Sequence, residues 1–90
     1  MNAIHIIVSG KVQGVFYRKN TQQKAQELGV SGTVQNLSDG TVEIYASGEE
    51  EDLKTLLWWT HSGSPSAEVN SVTSEFDKKE NLPKPFEIKR

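Results

Sequence analysis

Ile4, Ile6 and Val8 alternate with His5 and Ile7, and this two-residue period ends at a segment with glycines at positions 10 and 14. Alternation sends successive side chains to opposite faces, so residues 4–9 read as a strand with one apolar side. Downstream, Thr21, Ala25 and Leu28 recur at helical spacing amid Lys, Gln and Glu, and Gly29 supplies a stop. That pattern predicts a helix over 18–28. A strand therefore hands over to a helix within Gly10-Lys11-Val12-Gln13-Gly14-Val15-Phe16-Tyr17-Arg18.

The residue types in this handover suit an anion. Glycines let the backbone take positive φ and approach a ligand without a Cβ in the way. A helix start presents free N–H groups and the positive end of the helix dipole. Arg18 adds a planar, permanently charged fork matched to phosphate or carboxylate oxygens. The segment is not the GxxxxGK[ST] nucleotide loop, because no Lys-Ser/Thr pair follows Gly14. Two glycines alone would equally suit an ordinary strand-to-helix turn with a surface arginine. The conjunction of strand, Gly-x-x-x-Gly, helix start and arginine favours a phosphate cradle with a clamp.

The remaining chain completes a βαββαβ order with a short extra strand at the end. Residues 33–36 and 41–47 predict two strands joined across Asn36-Leu37-Ser38-Asp39-Gly40, where Asp-Gly signals a hairpin turn. A second helix is expected over 49–60, with Glu49 to Asp52 at its dipole-positive start and Leu53, Leu56 and Leu57 as its buried stripe. Residues 61–66 read as a Gly/Ser/Pro loop. Val69 and Val72 break strict alternation, which predicts a bulged strand over 68–76. A polar loop over 77–85 then precedes the terminal Phe86-Glu87-Ile88. This order favours an α+β, ferredoxin-like sandwich: an antiparallel sheet, its first strand central, with two helices on one face. The fold alone predicts no function.

Composition narrows the field. Ninety residues make one domain, 1–90, near the lower limit for burying a core unaided. With no cysteine, disulfides, thiolate catalysis and Cys-based metal sites are out of reach. No run approaches the ~20 apolar residues that span a bilayer, and no signal-peptide pattern opens the chain. A soluble cytoplasmic protein is expected, with a monomer as the default state. The net charge of -2 and pI near 5.6 argue against nucleic acid as a partner.

The nine-residue handover resembles the acylphosphatase signature, and the likeness continues along the chain. Leu28-Gly29-Val30-Ser31-Gly32-Thr33-Val34-Gln35-Asn36 is similar to the family's second block, and Asp39-Gly40-Thr41-Val42-Glu43 to the hairpin after it. Gly63-Ser64-Pro65-Ser66-Ala67-Glu68-Val69 and Phe86-Glu87-Ile88-Lys89-Arg90 resemble further blocks. The family usually has Trp where Thr33 stands and a basic residue at Gln35, and a proline is common where Ser64 stands.

The resemblance implies a hydrolase that cleaves small acyl phosphates to carboxylate and inorganic phosphate without a metal or cofactor. It implies that Arg18 and the backbone N–H groups of Gln13, Gly14, Val15, Phe16, Tyr17 and Arg18 bind the phosphoryl oxygens, and that Asn36 orients the attacking water. The chemistry is compatible with so few groups. The leaving carboxylate has a conjugate acid of pKa about 4, so it departs unprotonated. Phosphoryl transfer is loose, and positioning plus charge stabilisation carry most of its catalysis. Read on its own, Asn36 before a Ser-Asp-Gly turn equally suits the turn itself.

Other residues favour plainer roles. His5 and His61 lack a neighbour at metal-ligand spacing. Trp58 and Trp59 point about 100° apart on a helix, so both cannot face the core. Tyr17 is expected to pack the helix start against the sheet, and Lys11 needs no role beyond the surface. A non-catalytic anion-binding module would share every feature except turnover. An RNA-binding sheet would want several aromatics on a basic face, and the strands offer Tyr45 alone.

Overall fold

In a computed structural model, which describes residues 2–77 and 82–89, the chain forms β1 (Asn2–Lys11), α1 (Tyr17–Leu28), β2 (Ser31–Asn36), β3 (Val42–Gly48), α2 (Glu50–Thr60), β4 (Glu68–Asp77) and β5 (Glu87–Ile88). The polar loop expected over 77–85 lies partly outside the described residues. The strands lie in the order β4-β1-β3-β2-β5. The first strand is thus an inner one, flanked by β3 and β4, both antiparallel to it.

Alternation decides the layers. Ile4, Ile6 and Val8 of β1, Val34 of β2, and Val42, Ile44 and Ala46 of β3 are fully buried. They pack with Ala25 of α1, Leu53 and Leu56 of α2, and Phe86 in one core. Their in-between neighbours, such as His5, Ile7, Glu43 and Tyr45, lie half-buried on the opposite face. The two helices therefore cover one side, as the pattern predicts.

Three features depart from the sequence expectation. The sheet is mixed, because β5 pairs parallel to β2. Strands β1 and β2 run one way and β3 and β4 the other, so a chain that turns back after β4 meets β2 in parallel. The first strand extends to Lys11, since β4 keeps pairing with it across a register shift between Ser9 and Gly10. Asn70 is the extra residue there, so the bulge foreseen between Val69 and Val72 is present. Gly10 takes φ 125°, and a Cβ on it would lie 2.2 Å from the Glu68 carbonyl oxygen. Its missing side chain makes room for β4 rather than for a ligand. Finally, β2 starts at Ser31 rather than at residue 33, because Ser31 and Gly32 pair with Ser47 and Ala46.

Candidate active site

The loop between β1 and α1 has positive φ at alternate residues, 75° at Gly14 and 63° at Phe16. Space around Gly14 is open, so conformation alone accounts for the glycine. Backbone that alternates between the two helical hands turns successive N–H groups toward one concavity, the geometry of an anion nest. Among the described residues, no acceptor is found for the N–H groups of Gln13, Gly14, Val15 and Phe16. Helix α1 then begins without a side-chain cap and without an acidic residue in its first turn. By contrast, α2 carries Glu50, Glu51 and Asp52 in its own first turn. The dipole-positive end of α1 is thus left uncompensated beside the loop, whereas that of α2 is neutralised locally.

Buried anchors fix this loop. The Tyr17 ring is fully buried against Trp59, and its hydroxyl donates 2.9 Å to the Thr60 carbonyl oxygen at the end of α2. Burial pushes the Tyr17 hydroxyl pKa well above its ordinary value near 10. The ring serves as the foot of α1, anchored on the end of the second helix. The Val15 side chain is buried, and its carbonyl accepts a 2.7 Å bond from the Ser64 hydroxyl. Phe16 points out of the fold, 76% exposed. Arg18 sits half-exposed in the first turn of α1, and no ion pair or side-chain hydrogen bond holds its guanidinium among the described residues.

Asn36 ends β2. It pairs with Val42, which pairs in turn with Val8 of β1, so the three stand in one row across the sheet. At about 4.8 Å per strand, the Asn36 Cα lies roughly 10 Å from that of Val8, three residues before β1 ends at Lys11. Two residues from Val34, Asn36 faces the helix-covered side. Its Oδ1 is buried without a hydrogen-bond partner. The hairpin turn does not use this side chain. Asp39 closes the turn instead, accepting from the Thr41 hydroxyl at 2.6 Å and the Thr41 N–H at 3.0 Å. Those bonds, the hydroxyl first, hold the Asp39 carboxyl below the usual carboxylate range.

Gln13 joins the two halves. Its side-chain Nε2 donates 2.9 Å to the carbonyl oxygens of both Leu37 and Thr41, fastening the loop to the turn that follows Asn36. The family resemblance implies only a main-chain role for Gln13, and the side-chain clasp adds to it. Ser64, read as a loop residue, also reaches the site. Both contacts link distant stretches, 24 and 49 residues apart for Gln13–Leu37 and Ser64–Val15, and leave no local periodic trace.

The histidines lie elsewhere. His5 bonds Glu43 at 2.9 Å and stacks on Tyr45 with ring centroids 4.2 Å apart, on the open face of the sheet. His61 contacts the Leu57 carbonyl oxygen at 3.1 Å. Trp58 is the exposed member of its pair, at 80%.

Residues 4–88 match the model of the acylphosphatase family. The chain is 53% identical over 75 residues to the acylphosphatase of Marinobacter nauticus, covering 83% of this chain and 82% of that one. The chain belongs to the acylphosphatase family. Its activity is accordingly that of an acylphosphatase, EC 3.6.1.7, the hydrolysis of acyl phosphates. It is also 45% identical over 86 residues to the acylphosphatase of Natronomonas pharaonis, covering 96% and 92% of the two chains. The crystal structure of acylphosphatase from Bacillus subtilis superposes over 100% of both chains with a TM-score of 0.95 at 34% identity. Strands β1 and β2 run the same way, so the loop after β1, the start of α1 and the end of β2 share one end of the sandwich.

Proposed function

We propose that residues 13–18 hold the phosphoryl group of a small acyl phosphate and that Asn36 orients the water that attacks it. The observation that carries this reading is the buried, unpartnered Oδ1 of Asn36 beside a loop whose N–H groups find no acceptor among the described residues. A buried carbonyl oxygen without a partner is unfavourable unless function retains it. A side-chain amide provides an acceptor and two donors at fixed geometry, which suits placing a water.

The N–H groups of Gln13, Gly14, Val15, Phe16, Tyr17 and Arg18, with the Arg18 guanidinium, surround the phosphoryl oxygens and stabilise charge that spreads over them in a loose transition state. The water, accepted at Asn36 Oδ1, attacks phosphorus opposite the carboxyl oxygen. The P–O bond to the acyl group breaks, and its electron pair leaves on the carboxylate. The proton lost by water passes to the phosphate product or to solvent. No general acid is required, because the carboxylate departs as an anion.

The same reading has the enzyme work in the cytoplasm as a monomer, with inorganic phosphate as product and competing ligand. The lack of cysteine suits a reducing compartment. No helix among the described residues is long and apolar enough to cross a membrane. Nucleic acid is a poor partner for the open face, where Tyr45 is stacked on His5 beside Glu43.

Phosphate release from acetyl phosphate tests the proposal. Turnover with competitive inhibition by inorganic phosphate is expected. Wild-type turnover by Asn36→Ala would instead remove Asn36 from the reaction.

A further inference from the structure

Ser64 lies in the connection between α2 and β4, is 3% exposed, and spends its hydroxyl on the Val15 carbonyl oxygen 2.7 Å away. The consequence appears at the next residue. The Val15–Phe16 peptide is trans, so its C=O and N–H point in opposite directions. With the oxygen held toward Ser64, the Phe16 N–H faces the other way, away from the protein interior that Ser64 occupies. The following peptide is fixed similarly. The Phe16 carbonyl accepts from the Asn20 N–H at 3.0 Å and from Asn20 Nδ2 at 2.9 Å, along the helix. That points the Tyr17 N–H out past the helix start.

Phe16 adopts this arrangement against its own preference. A φ of 63° is unfavourable for a bulky side chain, and Phe16 is the one non-glycine residue with positive φ among the described residues. Rotating the Val15–Phe16 peptide plane by about half a turn would return Phe16 to negative φ and relieve the strain. It would also swing the Phe16 N–H out of the cradle and replace it with a carbonyl oxygen facing the anion. The Ser64 bond opposes that rotation directly, because the rotated carbonyl would leave the hydroxyl behind.

We propose that Ser64 is a positioning residue of this acylphosphatase: its hydroxyl locks the Val15–Phe16 peptide so that the Phe16 N–H is aimed at the phosphoryl oxygens. The proposal rests on residues 13–18 being the phosphate site. It concerns ground-state and transition-state binding of the phosphoryl group alike, so Ser64 acts on KM and on phosphate inhibition more than on the attacking water.

The test follows the backbone amides by NMR while inorganic phosphate is titrated into wild type, Ser64→Ala and Ser64→Cys, with acetyl phosphate kinetics alongside. Cysteine keeps the size but is a weak donor, so it carries the test if the alanine variant does not fold. In wild type, the Phe16 amide proton shifts on phosphate addition. In the variants that shift shrinks, and the phosphate inhibition constant and KM rise together by about tenfold for alanine, less than for outright loss of a donor, with cysteine in between. A merely structural serine would lower Tm and leave the Phe16 response and the inhibition constant alone. Folded variants whose phosphate inhibition and Phe16 shift match wild type would overturn the role of Ser64. A wild-type protein that turns over acetyl phosphate while phosphate moves no amide of residues 13–18 would overturn the site reading itself, and the proposal with it.

Discussion

Gln13 and Leu37 are fastened by a 2.9 Å bond from side-chain amide to carbonyl, which ties the phosphate-loop candidate to the residue after Asn36. A matching bond reaches Thr41. One side chain thereby couples the group that would hold the anion to the group that would place the water. In-line attack tolerates little slack between them, and a displacement of about 1 Å can reduce rate by about a hundredfold.

Gln13→Ala is therefore expected to lower kcat by about ten- to a hundredfold. It also removes two part-buried hydrogen bonds, a loss of about 1–3 kcal/mol. Kinetics with acetyl phosphate and a thermal melt check this. Unchanged kcat at a lowered Tm would show that the bonds serve the fold alone.

Arg18→Lys keeps the charge and loses the planar fork, so kcat/KM should fall by about a hundredfold or more. Its Tm should stay near wild type, since the guanidinium bonds no partner among the described residues. A lysine variant with near-normal phosphate inhibition would contradict bidentate binding at this position.

Tyr17 connects stability to alkaline pH. Its folded pKa is raised by burial above the ordinary 10, so the folded state keeps the proton where the unfolded chain would lose it. The resulting stability is present in full below the unfolded pKa and is lost as pH rises through the folded one. Tyr17→Phe removes both this dependence and the bond to Thr60, at about 1 kcal/mol near neutral pH. Urea melts at pH 7 and at about pH 11, above the ordinary tyrosine pKa, should show the gap between wild type and variant narrowing at the higher pH. A gap that holds constant would mean that Tyr17 ionises as freely folded as unfolded.

What could be read in advance was local. The Asp39-Gly40 turn, the stripe of Leu53 and Leu56 with Leu57 only partly buried beside it, and the break at Val69 and Val72 each depend on residues close in sequence. That one tryptophan of Trp58 and Trp59 must face outward follows from helix geometry. Which one does so is decided by Tyr17, which packs on Trp59. The direction of β5 was hidden, because it depends on which edge the returning chain reaches. The site divides in the same way. Gly14 and Arg18 declare themselves through backbone freedom and charge, both local properties. The unpartnered oxygen of Asn36, the clasp of Gln13 and the Ser64 bond exist only once β1, β2 and the loop after α2 are brought together.

Asn36→Ala separates catalysis from binding. Removing a buried oxygen that has no partner should leave Tm unchanged or slightly raised, since no protein hydrogen bond is lost. The decisive measurement is steady-state hydrolysis of acetyl phosphate by this variant, with inorganic phosphate as competitive inhibitor. The account predicts a kcat lower by about a hundredfold or more and an inhibition constant within about threefold of wild type. A variant that loses phosphate inhibition, or that keeps its kcat, contradicts it.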